Sequence, residues 1–142
     1  MTAWLLFWPV LLPILTASLC LVFWTRPDLQ RIVSLLGTVL LAAGILALFR
    51  EVWTGGIVSV QAGDWQAPFG ITFVADTLSV TMAALTALIG LGVAVYAMGD
   101  IGPARERTGF HPLFQALLAG VGGAFMTGDI FNMYVWFEVM VI

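Results

Sequence analysis

The sequence predicts an all-α integral membrane protein, a bundle of four full transmembrane helices plus the start of a fifth. Three observations carry that expectation. Of the 142 residues, 61% are hydrophobic and only 9% are charged, too few to cover the outside of a water-soluble globule. The apolar residues fall in long runs, each near the ~20 residues a helix needs to cross a ~30 Å hydrocarbon layer. Short clusters of charged, Gly and Pro residues separate the runs.

The first run, residues 3–24, contains Pro9 and Pro13 and is bracketed by Trp4, Trp8 and Trp24, which favour the bilayer interface, so it reads as a kinked spanning helix. The start Met1-Thr2-Ala3-Trp4 lacks the positive region and small-residue cleavage site of a signal peptide, and the helix is expected to be retained. The polar turn Thr25-Arg26-Pro27-Asp28-Leu29-Gln30-Arg31 ends it. A second helix over 32–49 then stops before Arg50-Glu51, making a helical hairpin with the first.

Residues 52–71 are Gly-rich and aromatic. Ile57, Val58 and Val60 precede Ala62-Gly63-Asp64-Trp65 and Pro68-Phe69-Gly70, a pattern that suggests an extended loop or small hairpin anchored at the interface by Trp53 and Trp65. The third helix is expected over 72–98, with Asp76 one turn inside it, and the charged stretch Asp100 to His111 closes it. Pro112 suits the first turn of a fourth helix over 112–127, where no donor is needed. Its Ala116, Ala119, Gly120, Gly122 and Gly123 let neighbouring backbones come close, which places this helix inside the bundle. Thr127-Gly128-Asp129 reads as a tight turn, with Asp129 capping a fifth helix over 130–142. That helix spans only ~20 Å at 1.5 Å per residue, so it is expected to continue in a longer protein or to meet a partner chain within the membrane.

Arginine is enriched in cytoplasmic loops. Arg26 and Arg31 lie in the first loop, Arg105 and Arg107 in the third, and Arg50 alone edges the second. Two crossings separate the Arg-rich loops, so both can be cytoplasmic. The N-terminus and the 52–71 loop then lie outside, in a multi-pass protein of the cell's inner (plasma) membrane. A net charge of −3 with no lysine gives no basic footprint for nucleic acid. Cys20, alone in the first run, reads as a small hydrophobe. There is no Cys/His metal spacing, no phosphate-cradling Gly loop followed by Lys and no nucleophile elbow, so no cofactor, metal centre or soluble-type enzyme site is expected.

Glu138 is the residue best placed for chemistry. Nine residues beyond Asp129, it lies ~13 Å below the helix start, near the middle of the hydrocarbon. A carboxyl group there resists ionisation unless a cation or water is near, which brings its proton affinity toward the physiological range. The plainer alternative is a glutamic acid that stays protonated and bonds to another helix. Phe131, Tyr134, Val135, Val141 and Ile142 share its face, and Tyr134 is placed to orient it or simply to pack. His111, with a reference pKa of about 6.5, suits a proton shuttle at a cytoplasmic entrance or an interfacial histidine without a role. Asp76 favours the positive end of a helix dipole or, less simply, handles ions. Asn132 faces a helix neighbour or bonds within its own first turn.

Phe110-His111-Pro112-Leu113-Phe114-Gln115, Leu118-Ala119-Gly120-Val121 and the whole stretch Thr127-Gly128-Asp129-Ile130-Phe131-Asn132-Met133-Tyr134-Val135-Trp136-Phe137-Glu138-Val139-Met140 carry a resemblance. Gly63-Asp64-Trp65-Gln66-Ala67-Pro68-Phe69-Gly70-Ile71 and Val74-Ala75-Asp76 extend it. The sequence resembles the N-terminal part of the large antiporter-like subunits shared by Mrp-type multisubunit Na+/H+ antiporters and respiratory complex I, with the D-type subunits of the Mrp complexes most similar. The resemblance implies a subunit of about fourteen helices with its N-terminus outside, working in a hetero-oligomeric membrane complex that exchanges H+ and Na+. It further implies that Glu138 is the fifth-helix glutamate that shares the proton path with a lysine on the seventh helix; these 142 residues contain no lysine. A proton-pumping subunit of complex I or of a membrane-bound hydrogenase, and a non-transporting scaffold, are the alternatives.

Overall fold

Hydrocarbon offers no partner to an unpaired amide, so each apolar run must satisfy its backbone internally and does so as a helix. The computed structural model describes residues 3–65 and 69–141; Met1, Thr2, Gln66, Ala67, Pro68 and Ile142, all named above, lie outside the described residues. In chain order the elements are α1 (Ala3–Val22), α2 (Pro27–Gly55), β1 (Val58–Gln61), β2 (Thr72–Ala75), α3 (Thr77–Asp100), the short α4 (Pro103–Glu106), α5 (Phe110–Met126) and α6 (Ile130–Val141). Where four full crossings are expected, the described residues hold three helices long and apolar enough to cross a membrane, α1 to α3, and two shorter apolar ones, α5 and α6.

Two other expectations change. The second helix occupies Pro27–Gly55 rather than 32–49. Pro27 begins it because the first helical position needs no donor, and Asp28 in the first turn favours the positive helix end. The helix thus runs through the charged residues near both of its ends instead of stopping at them. The third run is likewise not one helix from residue 72, because Thr72–Ala75 is a strand and the helix starts at Thr77. A four-residue apolar stretch with β-branched Thr72 and Val74 has no helical signature of its own, and an available partner strand decides its state. β1 supplies that partner, antiparallel, with Val58 opposite Ala75 and Gln61 opposite Thr72.

Asp76 is therefore not a turn inside the third helix but its N-cap. Its Oδ1 accepts from the Ser79 amide at 2.7 Å, and the Ser79 hydroxyl oxygen accepts from the Asp76 amide at 2.8 Å, a reciprocal pair that satisfies donors the helix start leaves open.

α5 is the hub, touching α1, α2, α3 and α6. Its small residues allow this on two faces. A Cβ at Gly122 would lie 2.7 Å from the Pro9 carbonyl oxygen of α1, a carbonyl whose usual helical donor is removed by Pro13. A Cβ at Gly123 would strike the Trp136 ring of α6. The hairpin is pinned to the same end of the bundle: Phe73 meets Phe7 edge-on at 5.2 Å, and the Gly128 amide donates to the Thr72 carbonyl at 2.8 Å. Outward faces keep large apolar side chains such as Leu15, Leu36 and Leu88 exposed, as lipid solvent requires.

Candidate functional site

The α5–α6 turn sets the position of Glu138. Asp129 Oδ1 accepts from the Phe131 amide at 2.9 Å, and Asn132 Nδ2 donates to Thr127 Oγ1 at 2.8 Å, so α6 starts with its first turn tied down. Trp136 and Met140, one turn apart, then seat α6 on Gly123 and Gly120 of α5. Glu138 is two residues from each, about 200° around the helix, and so points away from α5. It is exposed, with no hydrogen bond or ion pair among the described residues. Phe131, Tyr134, Val135 and Val141 of the same stripe are exposed as well, and the Tyr134 hydroxyl makes no hydrogen bond to Glu138. One side of α6 is thus packed and the other, bearing the acid, is open.

A second ionisable group lies at the other end of the bundle. Arg31 of α2 grips Glu106 of α4 with two donors, Nε to Oε1 and Nη2 to Oε2, the latter at 2.8 Å. His111 Nε2 of α5 lies 3.4 Å from Glu106 Oε1. Glu106 and His111 are 2% and 3% exposed, so both are packed inside the bundle. The Arg31 hydrogen bonds hold the Glu106 carboxyl below its ordinary range; burial opposes this and His111 reinforces it. A carboxylate saturated in this way holds a proton poorly and joins three elements instead.

One turn deeper, Gln115 Nε2 of α5 is within 3.0 Å of both the carbonyl and hydroxyl oxygens of Ser34 and 2.9 Å from Thr38 Oγ1, all on α2. Gln115 Oε1 has no partner among the described residues. Sequence reasoning missed this seam, although it left a trace: Arg31, Ser34 and Thr38 recur at helical spacing on α2, as His111 and Gln115 do on α5. Nothing local indicates that Arg31 and Glu106, so far apart in sequence, pair.

Asp76 lies at the opposite end from Glu106, and the Ser79 amide hydrogen bond holds its carboxyl below the usual range. The structure therefore does not bring Asp76, His111 and Glu138 together. No group of three or more His, Cys, Asp or Glu side chains able to hold a metal occurs among the described residues.

No family model matches the chain. It is 40% identical over 134 residues to the D-type subunit of the Na+/H+ antiporter of Alkalihalophilus pseudofirmus, a match covering 94% of this chain and 27% of that protein. Among solved structures it superposes on a chain of the Mrp complex from Dietzia sp. with a TM-score of 0.86 and 32% identity, over 96% of this chain and 25% of the other. A chain of the membrane-bound sulfane sulfur reductase, an archaeal respiratory membrane complex, gives a TM-score of 0.86 at 25% identity, over 98% and 28%. The chain thus spans about a quarter of the length of the relatives it matches. At that identity over nearly its whole length, it is a homologue of the N-terminal portion of the D-type subunits of Mrp Na+/H+ antiporters.

Proposed function

We propose that this chain is the N-terminal part of a proton-translocating subunit in a multisubunit Na+/H+ antiporter of the bacterial cell membrane, a transporter and not an enzyme. Glu138 serves as its mid-membrane proton carrier. The observation that carries this reading is the open face of α6. A carboxyl group ~13 Å down a membrane helix is expensive to leave in lipid, so its stripe calls for protein or water against it. A basic group brought there from outside these 142 residues would let Glu138 alternate between ionised and protonated states as the partner charge approaches and withdraws. Tyr134, one turn earlier, orients the carboxyl once the face is covered. His111 and Asp76 are left outside the path, the first locked to Glu106 and the second to Ser79. The Arg-rich end carrying Arg26, Arg31, Arg105 and Arg107 faces the cytoplasm, which puts the N-terminus and the hairpin outside.

The test is Glu138→Ala and Glu138→Asp in the complete complex, with antiport followed in vesicles under an imposed proton gradient. Loss with Ala and partial recovery with Asp are expected; undiminished exchange with Ala would sink the proposal. The equal TM-score to the archaeal respiratory complex supports a second reading, a proton pump driven by electron transfer. The higher identity to the Mrp chain favours antiport, and co-purifying iron–sulfur subunits would reverse that preference.

A further inference from the structure

β2 is paired along both of its edges. On one it meets β1, with Val60 opposite Phe73. On the other, Phe73 pairs antiparallel with Thr127, the residue that ends α5, and the Gly128 amide donates to the Thr72 carbonyl at 2.8 Å. A Cβ at Gly128 would lie 2.5 Å from Val74 Cγ2, so the turn before α6 rests directly on the strand. Phe73 and Ala75 are buried, and Asp76 follows at once as the cap of α3, which fixes β2 within the bundle. From this mount one side-chain hydrogen bond reaches into α6. The Thr127 hydroxyl donates to the Asp129 carbonyl at 3.2 Å, which turns its lone pairs toward Asn132, whose Nδ2 donates to it at 2.8 Å. Asn132 is 3% exposed and is the one buried residue among those described in α6.

We propose that Asn132 is a positioning residue for Glu138: by holding α6 to the hairpin through Thr127, it sets the rotation of the helix and with it the direction of the carboxyl group. The inference rests on the reading of Glu138 as the proton carrier. Glu138 is six residues and ~9 Å further along the helix. A side-chain head rides ~5 Å from the helix axis, so turning α6 by about 20° carries the carboxyl about 2 Å sideways. A shift of that size separates a proton donor from its acceptor. A carboxamide suits the task. It donates to the hydroxyl without bringing a charge, and its burial is costly unless that bond is made, so the helix is favoured in the one rotation that makes it. An apolar residue at 132 would pack as well after a small rotation, because apolar contact has no direction.

Exchange per folded complex is compared in vesicles for the complete complex carrying Asn132→Leu, Thr127→Val, both together or Thr127→Ser, with Glu138→Ala alongside. Asn132→Leu keeps the volume and strands no donor, since the Thr127 hydroxyl retains the Asp129 carbonyl; Thr127→Val leaves the backbone pairing with Phe73 intact. Each should lower exchange about 10-fold. Because both break the same bond, the double variant should also be about 10-fold down and not about 100-fold. Thr127→Ser keeps the hydroxyl and should recover most of the loss, which a residue that only fills space would not do. Full exchange in Asn132→Leu, multiplied losses in the double variant, or equal losses in Thr127→Ser and Thr127→Val would each overturn the proposal. Loss in Glu138→Ala beside full exchange in Asn132→Leu strikes this inference alone; full exchange in Glu138→Ala strikes the antiport reading and this inference with it. If Asn132→Leu does not assemble, the contrast between Thr127→Ser and Thr127→Val decides.

Discussion

Glu106 and Glu138 are the same side chain in opposite circumstances. Glu106 is buried, with both oxygens held by Arg31 and a histidine at its edge, whereas Glu138 stands exposed on a helix face that nothing in the described residues covers. If Glu138 is the proton carrier proposed above, burial alone does not mark the working acid. A buried carboxylate with saturated acceptors is committed to one protonation state and serves the fold. In the proposed role, the unsatisfied carboxyl on the open face of α6 awaits a partner from outside the described residues.

The widest separation between the two is expected from exchanging their losses. Glu138→Gln keeps the shape of the side chain but cannot release a proton, so exchange by the assembled complex should fall at least about 100-fold while its melting temperature holds. Arg31→Ala should do the reverse. It strands Glu106 and costs about 3 kcal/mol, the low end for breaking a buried pair because 28% of the Arg31 side chain is already exposed. Exchange per folded complex should persist. If Glu138→Gln melted the protein or Arg31→Ala stopped transport, the division of roles would be reversed.

Acid titration sharpens the same contrast. The folded Glu106 carboxyl lies below its ordinary value of 4.5, so as pH falls the unfolded chain takes up the proton first. Its contribution to stability is complete above that value and fades as pH drops through the folded pKa. The purified protein in detergent should lose thermal stability below about pH 4.5, and Glu106→Gln should flatten that part of the profile.

A smaller effect probes how α6 is aimed. Gly123→Val would push against the Trp136 ring at a cost of about 2 kcal/mol. Since Trp136 and Met140 fix the rotation of the helix, the same variant should reduce exchange as it displaces Glu138. Normal exchange in a destabilised Gly123→Val complex would mean that something other than α5 aims the acid.

How legible each part was depends on how local its cause is. The helices follow from the run lengths, and the cap at Asp129 follows from its place before an apolar stretch, because chain neighbours determine both. The strand Thr72–Ala75 was hidden because its state depends on pairing with Val58–Gln61 rather than on its own composition. The Arg31–Glu106 pair was hidden for the same reason at longer range. The position of Glu138 along α6 could be counted from the helix start, but its direction required Trp136 and Met140 to be seen against Gly123 and Gly120.

Asp76 gives the smallest and most discriminating prediction. Like Glu138 it is an acid on a membrane helix, and from sequence alone it was a candidate for ion handling; like Glu106 it proves to be engaged, here by the Ser79 amide. Asp76→Ala removes the cap and should cost about 1 kcal/mol. Asp76→Asn separates the two roles, because asparagine caps a helix about as well as aspartate yet cannot carry a proton. Full stability and full exchange in Asp76→Asn would assign this acid to the helix start. Full stability with lost exchange would put it in the proton path, and being engaged by a neighbour would no longer distinguish structural acids from working ones.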